Sequence, residues 1–233
     1  MVAWGAVILL SSLWTLASSF LSLAAFLIRE DWGHAVHRFW GRSMCLIFGI
    51  RLKILFAHQI PPTGGAVLAS NHASIFDIPI LASLPVDFKW ISKQEVRRVP
   101  FMGWAMEKMG CFFVARGGST RDIDVLKDVE NGLRAGKRVV IFPEGTRSRD
   151  GKLLPFKKGA FRLAQNAQVP LCPIAIQGSF AIAPSGKLPS RRGFDVTVRV
   201  GSALTSKPDE DLGTFMEKAR KEIVRLLEES DAS

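Results

Sequence analysis

Residues 66–79 read AVLASNHASIFDIP, and this stretch decides how the chain is organised. The apolar run 66–70 has strand character and delivers Asn71 and His72 into a turn. Asp77 follows five positions after the histidine and precedes an apolar segment. Positions five apart lie about 140° apart on a helix, so one helix cannot easily bring His72 and Asp77 together. They can meet if His72 lies in the loop and Asp77 in the first helical turn.

A contact of this kind would make His72 a candidate general base. A carboxylate that touches one imidazole nitrogen leaves the other nitrogen neutral, oriented and basic. The spacing alone is weak evidence, because a histidine and an aspartate five positions apart also occur by chance. The rest of the sequence therefore has to decide whether Asp77 serves His72.

The totals restrict the class of protein. A chain of 233 residues forms one sizeable globular domain, or one domain and an anchor. A net charge of +10 favours an anionic partner, such as nucleic acid, an anionic membrane or a phosphorylated substrate. The cysteines are far apart and form no CxxC pair, which argues against a disulfide framework and a zinc site and fits a reducing compartment. They are Cys45, Cys111 and Cys172. No other spacing indicates a metal site.

The amino-terminal residues 2–28 contain no charged side chain. As a helix they would be about 40 Å long, enough to cross a hydrocarbon core of about 30 Å with some tilt. Trp4 and Trp32 lie near the two ends, as interfacial anchors would. A secretory signal is the competing interpretation, but it needs a basic amino-terminal region and a small-residue cleavage site. The sequence lacks both features, which favours an uncleaved membrane anchor.

Basic residues follow this predicted anchor, and by the positive-inside rule they would keep the bulk of the protein on the cytoplasmic face of the membrane. They are Arg29, Arg38, Arg42, Arg51 and Lys53. Residues 34–48 predict a second helix with apolar positions at spacings of three and four. This helix either lies in the membrane interface or packs on the domain core, and periodicity does not separate the two. We therefore expect an anchor and amphipathic helix over 1–48 and an α/β domain over 49–233.

Strand and helix patterns alternate along the second part. The predicted strands are 51–56, 66–70, 88–92, 111–115, 139–142, 171–176 and 194–200. The predicted helices are 100–109, 119–133, 156–167 and 209–229, with Pro100 at a first position, Ser119 and Asp122 as a capping box, and acids in the first turn of the last helix. This alternation predicts an α/β fold, a sheet flanked by helices, carrying an N-terminal membrane-associated helical motif.

A second informative stretch is VVIFPEGTRSR, residues 139–149. A buried strand ends there in a polar turn, and ligands usually bind at strand ends in α/β sheets. Gly145 lets the backbone approach a ligand, Thr146 supplies a hydroxyl, and Arg147 supplies a planar fork suited to phosphate. The alternatives are a surface turn with a solvated arginine, or an arginine paired with Glu144.

These stretches together resemble the glycerolipid acyltransferase family, typified by 1-acylglycerol-3-phosphate acyltransferase. The resemblance rests first on Asn71-His72-x4-Asp77 and on Phe-Pro-Glu-Gly-Thr-Arg at 142–147. Two further blocks match, Gly-Cys-Phe-Phe-Val-Ala-Arg at 110–116 and Val-Pro-Leu-Cys-Pro-Ile at 169–174. The four blocks occur in the family's order.

The resemblance implies transfer of a fatty acyl group to the free hydroxyl of 1-acylglycerol 3-phosphate (lysophosphatidic acid), giving phosphatidic acid. Acyl-CoA or an acyl-acyl carrier protein would be the co-substrate, with no bound cofactor. His72 would be the general base and Asp77 would orient it and stabilise the imidazolium. Membrane lipids would be further partners, and nucleic acid would not be one.

The resemblance also implies how the acceptor is bound. It assigns phosphate contacts to Arg147 and Arg116, within a substrate site that includes Gly145 and Thr146. Glu144 would either hold Arg147 in position or bond a glycerol hydroxyl, and the sequence does not choose between these roles. Lys93 resembles a lysine found between the family's first two blocks, where it would assist phosphate binding, although a solvated lysine fits nearly as well.

Other functions remain open from the sequence. The same chemistry could use another acceptor: a lysophospholipid, lyso-ornithine lipid or glycerol 3-phosphate. A non-catalytic, membrane-anchored protein that binds anionic lipids would keep the basic residues, but it would have no reason to keep His72 with Asp77. A nucleic-acid-binding module would explain the charge but not the apolar amino terminus.

Overall fold

The computed structural model describes residues 4–115, 120–184, 187, 189 and 193–229. The helices are α1 (Trp4–Ile28), α2 (Glu30–Ile47), α3 (Asp77–Ala82), α4 (Met102–Lys108), α5 (Thr120–Arg134), α6 (Gly159–Ala167) and α7 (Leu212–Glu228). The strands are β1 (Ile50–Leu55), β2 (Ala66–Ser70), β3 (Lys89–Lys93), β4 (Phe112–Val114), β5 (Arg138–Ile141), β6 (Leu171–Gln177) and β7 (Phe194–Val200). Short 3₁₀ turns occupy Ala57–Gln59, Gln94–Arg98 and Ser179–Ala181.

The seven strands form one mixed sheet in the order β1-β7-β6-β2-β5-β3-β4. Strands β2 to β6 run parallel to one another, whereas β7 is antiparallel to β6 and β1 is parallel to β7. The carboxyl ends of β2, β3, β4, β5 and β6 therefore meet at one edge of the sheet. The predicted α/β class, with helices flanking a sheet, is confirmed.

Helices cover both faces of the sheet, and strand β2 shows why its sequence is apolar throughout. Ala66 and Leu68 belong to a core shared with α2 and α3, while Val67 and Ala69 belong to a second core shared with α5, α6 and α7. Successive side chains of a strand point to opposite faces, so a strand covered on both faces is apolar at every position. β2 lies near the middle of the sheet, and the loop that carries His72 begins at its carboxyl end.

Helix α1 packs its small residues on α2 and exposes its large ones. Trp14 Nε1 donates to Ser43 Oγ at 2.7 Å, and Trp40 Nε1 donates to Thr15 Oγ1 at 3.1 Å. Within the described ranges, α1 is the one helix long and apolar enough to cross a membrane, with a mean hydropathy of 1.8. Its exposed large residues are Leu9, Leu10, Leu13, Leu16, Phe20, Leu21, Leu27 and Ile28.

Helix α2 begins at Glu30, four residues before the predicted start, and packs on the domain core. A Cβ on Gly41 would lie 2.6 Å from the carbonyl oxygen of Pro79, so only glycine permits this approach to α3. Cys45 is buried on the same side, whereas Phe39 and Leu46 are exposed. Of the two alternatives for this helix, the structure contains the packed one, with apolar residues left over on its outer face.

Two other helices begin later than predicted. Helix α6 begins later because the residues before it pair with the loop after β5. There the backbone N–H of Lys157 donates to the carbonyl of Pro143. The predicted acids in the first turn of α7 precede the helix, because Asp211 is its N-cap and accepts from the backbone N–H of Thr214. Polar capping of the orphan N–H groups thus sets the start of α7.

The start of α4 also differs from the prediction. Pro100 does not open the helix, because Phe101 follows it at φ 61°, outside the helical region, and the helix begins one residue later. Helix α5 spans the predicted region. Its predicted capping residue Ser119 lies outside the described residues, as does the side chain of Asp122.

Candidate active site

The loop after β2 brings His72 and Asp77 together. His72 lies in the loop, Asp77 opens α3, and His72 Nδ1 lies 2.8 Å from Asp77 Oδ2. The carboxylate can only accept a hydrogen bond, so Nδ1 carries the proton and Nε2 carries the lone pair. Within the described part of the chain, Nε2 makes no hydrogen bond. His72 and Asp77 therefore meet in the loop-and-helix arrangement that their spacing of five allows.

The Asp77 carboxylate is completely buried and held by three donors. Besides His72 Nδ1, its Oδ2 accepts the backbone N–H groups of Ala73 at 2.7 Å and Ser74 at 2.8 Å. These bonds offset the cost of burying the charge. They also fix the direction in which the carboxylate faces the imidazole, so the ring orientation is set before any substrate arrives.

The His72 ring is packed as well as hydrogen-bonded. It stacks on Phe142, at the end of β5, with ring centroids 3.9 Å apart and an interplanar angle of 13°. The backbone carbonyl of His72 accepts the N–H of Ser148 at 2.9 Å. The loops after β2 and β5 therefore hold one another, and the histidine ring lies between them.

Glu144 connects the same two loops. Its Oε1 accepts the backbone N–H of His72 at 2.7 Å, and its Oε2 accepts the backbone N–H of Leu154 at 2.8 Å. Burial raises the pKa of this carboxyl, and the two backbone hydrogen bonds oppose part of that rise. These contacts give Glu144 a structural role that the sequence did not predict, and the expected bond to a glycerol hydroxyl stays a prediction. Glu144 positions the turn that carries the candidate base.

The other residues of the predicted phosphate-binding turn are exposed or half-buried. Gly145 has φ +70°, and a Cβ there would lie 2.8 Å from Lys157 Nζ, because the lysine side chain crosses over it. Thr146 is exposed and Arg147 is half-buried. Arg147 forms no ion pair with any described residue, so the alternative Glu144–Arg147 pair is not found there.

Lys93 lies at the same edge of the sheet. It is the last residue of β3, which pairs with β5, and its side chain is exposed without an ion pair in the described ranges. Strand β3 is two positions from β2, roughly 10 Å away at the usual strand spacing. Arg116, the other predicted phosphate contact, lies outside the described residues. It follows β4, which pairs with β3.

Sequence reasoning assigned no role to Asn71, which the structure places in the support of the site. Its Nδ2 donates to the carbonyl of Ile176 at 3.0 Å, and its Oδ1 accepts the N–H of the same residue at 2.7 Å. The amide thus pairs with a peptide unit and ties the end of β2 to β6. An amide side chain directly before a candidate base was the available signal, since asparagine can donate and accept at once.

The cysteines do not offer a nucleophile. Cys172 and Cys111 are buried, and burial raises the pKa of each thiol to about 12. Reactive cysteines instead have a lowered pKa and partial exposure. No cluster of three metal-ligating side chains occurs among the residues that the structure describes. Among the described residues, the imidazole of His72 is therefore the candidate base at this edge.

The sequence over residues 51–177, more than half of the chain, matches the acyltransferase family. The chain belongs to this family. The matched range begins in β1 and ends with β6, so it contains all four of the sequence blocks on which the resemblance rests.

Curated relatives of this acyltransferase carry a common name. A chloroplastic 1-acyl-sn-glycerol-3-phosphate acyltransferase of Brassica napus is 44% identical over 159 residues, 68% of this chain and 46% of that protein. The human beta enzyme of the same name is 36% identical over 165 residues, 70% of this chain and 59% of that protein. The Saccharomyces cerevisiae enzyme is 32% identical over 191 residues, 80% of this chain and 63% of that protein. The chain spans about half the length of the curated relatives it matches.

A solved structure matches almost the whole acyltransferase chain. The 1-acyl-sn-glycerophosphate acyltransferase PlsC of Thermotoga maritima superposes with a TM-score of 0.86, at 23% sequence identity. The match covers 97% of this chain and 94% of that one. The two proteins therefore share a fold, including the helices that precede the sheet.

Proposed function

We propose that this acyltransferase transfers a fatty acyl group from a thioester to the free hydroxyl of 1-acylglycerol 3-phosphate, which yields phosphatidic acid. The observation that carries the proposal is the His72–Asp77 pair, whose Nε2 is free to accept a proton at the sheet edge that also holds Arg147 and Lys93. The names of the curated relatives support this choice of acceptor.

The residues suggest a direct transfer. An alcohol is a weak nucleophile near neutral pH, so His72 Nε2 removes the hydroxyl proton as the oxygen attacks the thioester carbonyl. A C–O bond forms, the C–S bond breaks, and the imidazolium returns the proton to the leaving thiolate. Asp77 keeps Nδ1 protonated and stabilises the positive ring during transfer. The products are the diacyl lipid and the free thiol.

Cationic side chains at the same edge would bind the acceptor phosphate. Arg147 and Lys93 lie on the loop after β5 and at the end of β3, and neither has an ion-pair partner among the described residues. Arginine suits bidentate phosphate contact, and lysine supplies a point charge. Arg116 would complete the set, as the family resemblance implies. Gly145 and Thr146 would line the approach to this phosphate.

The acyl donor would be acyl-CoA or an acyl-acyl carrier protein, consumed as a co-substrate. Both donors carry their acyl group as a thioester, and a thiolate leaves with little need for protonation. This suits a site with a single acid–base group. No tightly held cofactor enters the proposed reaction.

The proposed reaction takes place at a membrane surface. Helix α1 exposes a row of leucine and phenylalanine side chains, and the acceptor and product are both lipids. We place the catalytic domain on the cytoplasmic face, because basic residues follow α1. A cysteine introduced at the exposed Lys207 should react with an impermeant maleimide in lysed cells but not in intact cells. Labelling of this cysteine in intact cells would mean that the catalytic domain lies on the opposite face of the membrane.

The test of the reaction compares wild type with His72→Ala in detergent or liposomes. With a long-chain acyl thioester and 1-acylglycerol 3-phosphate, wild type should form phosphatidic acid, and the variant should lose at least about a hundredfold. Glycerol 3-phosphate, a lysophospholipid and lyso-ornithine lipid serve as competing acceptors. If one of these compounds gave a product and 1-acylglycerol 3-phosphate gave none, that compound would take the place of 1-acylglycerol 3-phosphate as the acceptor. Activity that survives in the variant would overturn the general-base role.

A further inference from the structure

Three aromatic rings form a ladder that joins α1 to the catalytic domain. Phe20 of α1 packs edge-to-face on Phe101, with ring centroids 5.6 Å apart, and Phe101 packs in the same way on Trp104 of α4, at 5.4 Å. All three side chains are exposed, and Leu13, Leu16 and Phe20 share one face of α1. Single exposed apolar residues are ordinary, but a contiguous apolar surface marks an interaction site. The aromatic ladder extends the apolar surface of α1 onto α4.

A strained turn holds Phe101 in the ladder. Phe101 has φ 61° and ψ −51°, and the backbone N–H of Met102 donates to the carbonyl of Pro100 at 2.7 Å. This is a γ-turn of the positive-φ kind, which is rare and strained for a residue with a side chain. Such strain persists only where the surroundings hold it, and it is concentrated at functional positions. The exposed ring of Phe101 is therefore a feature that the fold maintains against the local preference of the backbone.

The aromatic ladder lies beside the catalytic edge of the sheet. Met106 of α4 packs on the core that α2 also covers, so the exposed ring of Trp104 lies on the outer side of that face. A short 3₁₀ turn connects the segment to Lys93, the last residue of β3. A surface that binds Phe101 and Trp104 is therefore next to a proposed phosphate contact of the acceptor.

Cationic side chains flank the aromatic ladder. Residues 93–108 carry four cationic and two acidic side chains. Arg97 pairs with Glu107 at 2.6 Å. Arg98 and Lys108 are exposed and form no ion pair with any described residue. Aromatic rings beside cations suit the boundary between hydrocarbon and anionic headgroups. Continuity with α1, which has a mean hydropathy of 1.8, favours lipid over a protein partner.

We propose that Phe101, Trp104 and Arg98 form a second membrane contact, which seats the catalytic domain on an anionic leaflet. The rings lie at the level of the headgroups, and Arg98 pairs with lipid phosphate. This contact holds the sheet edge at the depth where the phosphate of a lysolipid lies. The acceptor then reaches Lys93 while its acyl chain stays in the leaflet. That consequence rests on the proposed acyl transfer, whereas the membrane contact does not.

Quenching by nitroxide lipids tests the contact without turnover. Trp104→Cys and Ile123→Cys are labelled with an NBD maleimide in the full chain, since the native cysteines are buried. The proteins are reconstituted in vesicles of phosphatidylglycerol and phosphatidylcholine. A nitroxide near the headgroup should quench the label of Trp104→Cys more than a nitroxide near the chain end. It should not quench the label of Ile123→Cys, which lies on α5 on the opposite face of the sheet. Absence of quenching in Trp104→Cys, or equal quenching in both variants, would overturn the proposal.

Activity on two acceptors separates a membrane contact from a structural role. Trp104→Ala should raise the KM about fivefold for a long-chain 1-acylglycerol 3-phosphate in anionic vesicles, because an interfacial anchor is lost. The KM for a short-chain, water-soluble acceptor should not change. Trp104→Phe should recover part of the loss, and Ile123→Ala should behave as wild type. Arg98→Gln should raise the KM in anionic vesicles but not in vesicles of phosphatidylcholine alone, with Lys207→Gln as its control.

The outcomes distinguish this contact from the proposed reaction. Quenching in Trp104→Cys without formation of phosphatidic acid would keep the membrane contact and reject the acceptor. Equal loss of activity on both acceptors in Trp104→Ala would give this residue a structural role and overturn the proposal. Light scattering in detergent tests the remaining partner, a second copy of this chain. A dimer in wild type that Trp104→Glu converts to a monomer would make the aromatic ladder an interface between copies and would also overturn it.

Discussion

Glu144 touches His72 through the backbone, with the His72 N–H donating to Glu144 Oε1 at 2.7 Å. The other carboxylate oxygen accepts the N–H of Leu154 at 2.8 Å. A buried carboxylate that spans two loops in this way fixes their relative position, because moving either loop would leave a buried donor or a charge unsatisfied. Glu144 therefore acts on catalysis through the placement of His72.

Replacing Glu144 with glutamine should lower kcat at least about tenfold and change both KM values little. The amide offers one acceptor and one NH₂ group, so one of the two backbone donors loses its partner and faces another donor. The measurement is steady-state kinetics, with Glu107→Gln at an exposed ion pair as the control. An unchanged kcat in Glu144→Gln would mean that the hydrogen bonds to this residue do not position the base.

Asp77→Asn should reduce kcat by about 10²–10⁴-fold. The neutral amide cannot stabilise the imidazolium as a carboxylate does, its oxygen accepts the three hydrogen bonds more weakly, and its NH₂ group, if turned toward Nδ1, would favour the wrong tautomer of His72. Some loss of thermal stability should accompany the change, since the N–H groups of Ala73 and Ser74 then bond a neutral acceptor in place of a charged one. Asp209→Asn, at an exposed position, should leave both quantities at the wild-type level. A variant that folds and retains more than a tenth of kcat would contradict the orienting role.

Much of the site could be predicted because its chemistry lies in short stretches at strand ends. The five-residue spacing of His72 and Asp77 argued against a single helix and pointed to the loop-then-helix arrangement that the structure contains. Adjacent parallel strands then place Lys93 and Arg147 at the same edge. The alternation of strand and helix patterns and the apolar runs of the strands are local features of the sequence, so they place these strand ends without knowledge of the tertiary contacts.

The contacts of Glu144 could not be predicted, because its partners are backbone N–H groups. Every residue except proline carries such a group, so no residue type marks the partner. The buried face of α2 escaped prediction for a related reason: Gly41 is required by a carbonyl of α3 that is distant in sequence. The direction of β1 and β7, opposite to that of the other strands, could not be predicted either. It depends on tertiary packing, because the sequence pattern of a strand does not show how the strand runs relative to its neighbours.

Arg147→Ala should raise the KM for 1-acylglycerol 3-phosphate about tenfold or more and leave the donor KM unchanged. Arg147→Lys should recover part of the loss, because lysine keeps the charge but not the bidentate geometry. Added salt should raise the acceptor KM of wild type more steeply than that of Arg147→Ala. Arg162→Ala, at an exposed position on α6, is the control. Equal acceptor KM values in wild type and Arg147→Ala would remove this residue from phosphate binding.

Leu10→Glu should weaken association with phospholipid vesicles, because Leu10 is 64% exposed on the apolar surface of α1. A carboxylate in the hydrocarbon region costs about 2.5–3.5 kcal/mol at the centre of a helix. Co-sedimentation with vesicles measures the effect. Ile123→Glu is the matched control, since Ile123 is 54% exposed on α5, on the opposite face of the sheet. Equal loss in the two variants would point to misfolding or charge alone.

His37→Gln should reduce the sensitivity of the fold to acid. Burial lowers the pKa of His37 to about 3, aided by the nearby positive charges of His34, Arg38 and Lys89. The neutral ring accepts a hydrogen bond from Trp90 Nε1 at 3.2 Å. Because the folded pKa is below the unfolded value, this residue contributes stability above pH 6.5 that is lost as the pH falls toward 3.

The loss from His37 at pH 5 should be at most about 2 kcal/mol, and glutamine, which can still accept from Trp90, should avoid it. Thermal unfolding at pH 7.5 and pH 5.0 in detergent measures the change in Tm. Burial also lowers the pKa of His34, so the His37→Gln variant should keep part of the acid sensitivity. His58→Gln, at an exposed position, should behave as wild type. If His37→Gln and wild type lose equal Tm on acidification, the half-buried imidazole of His37 does not control acid stability.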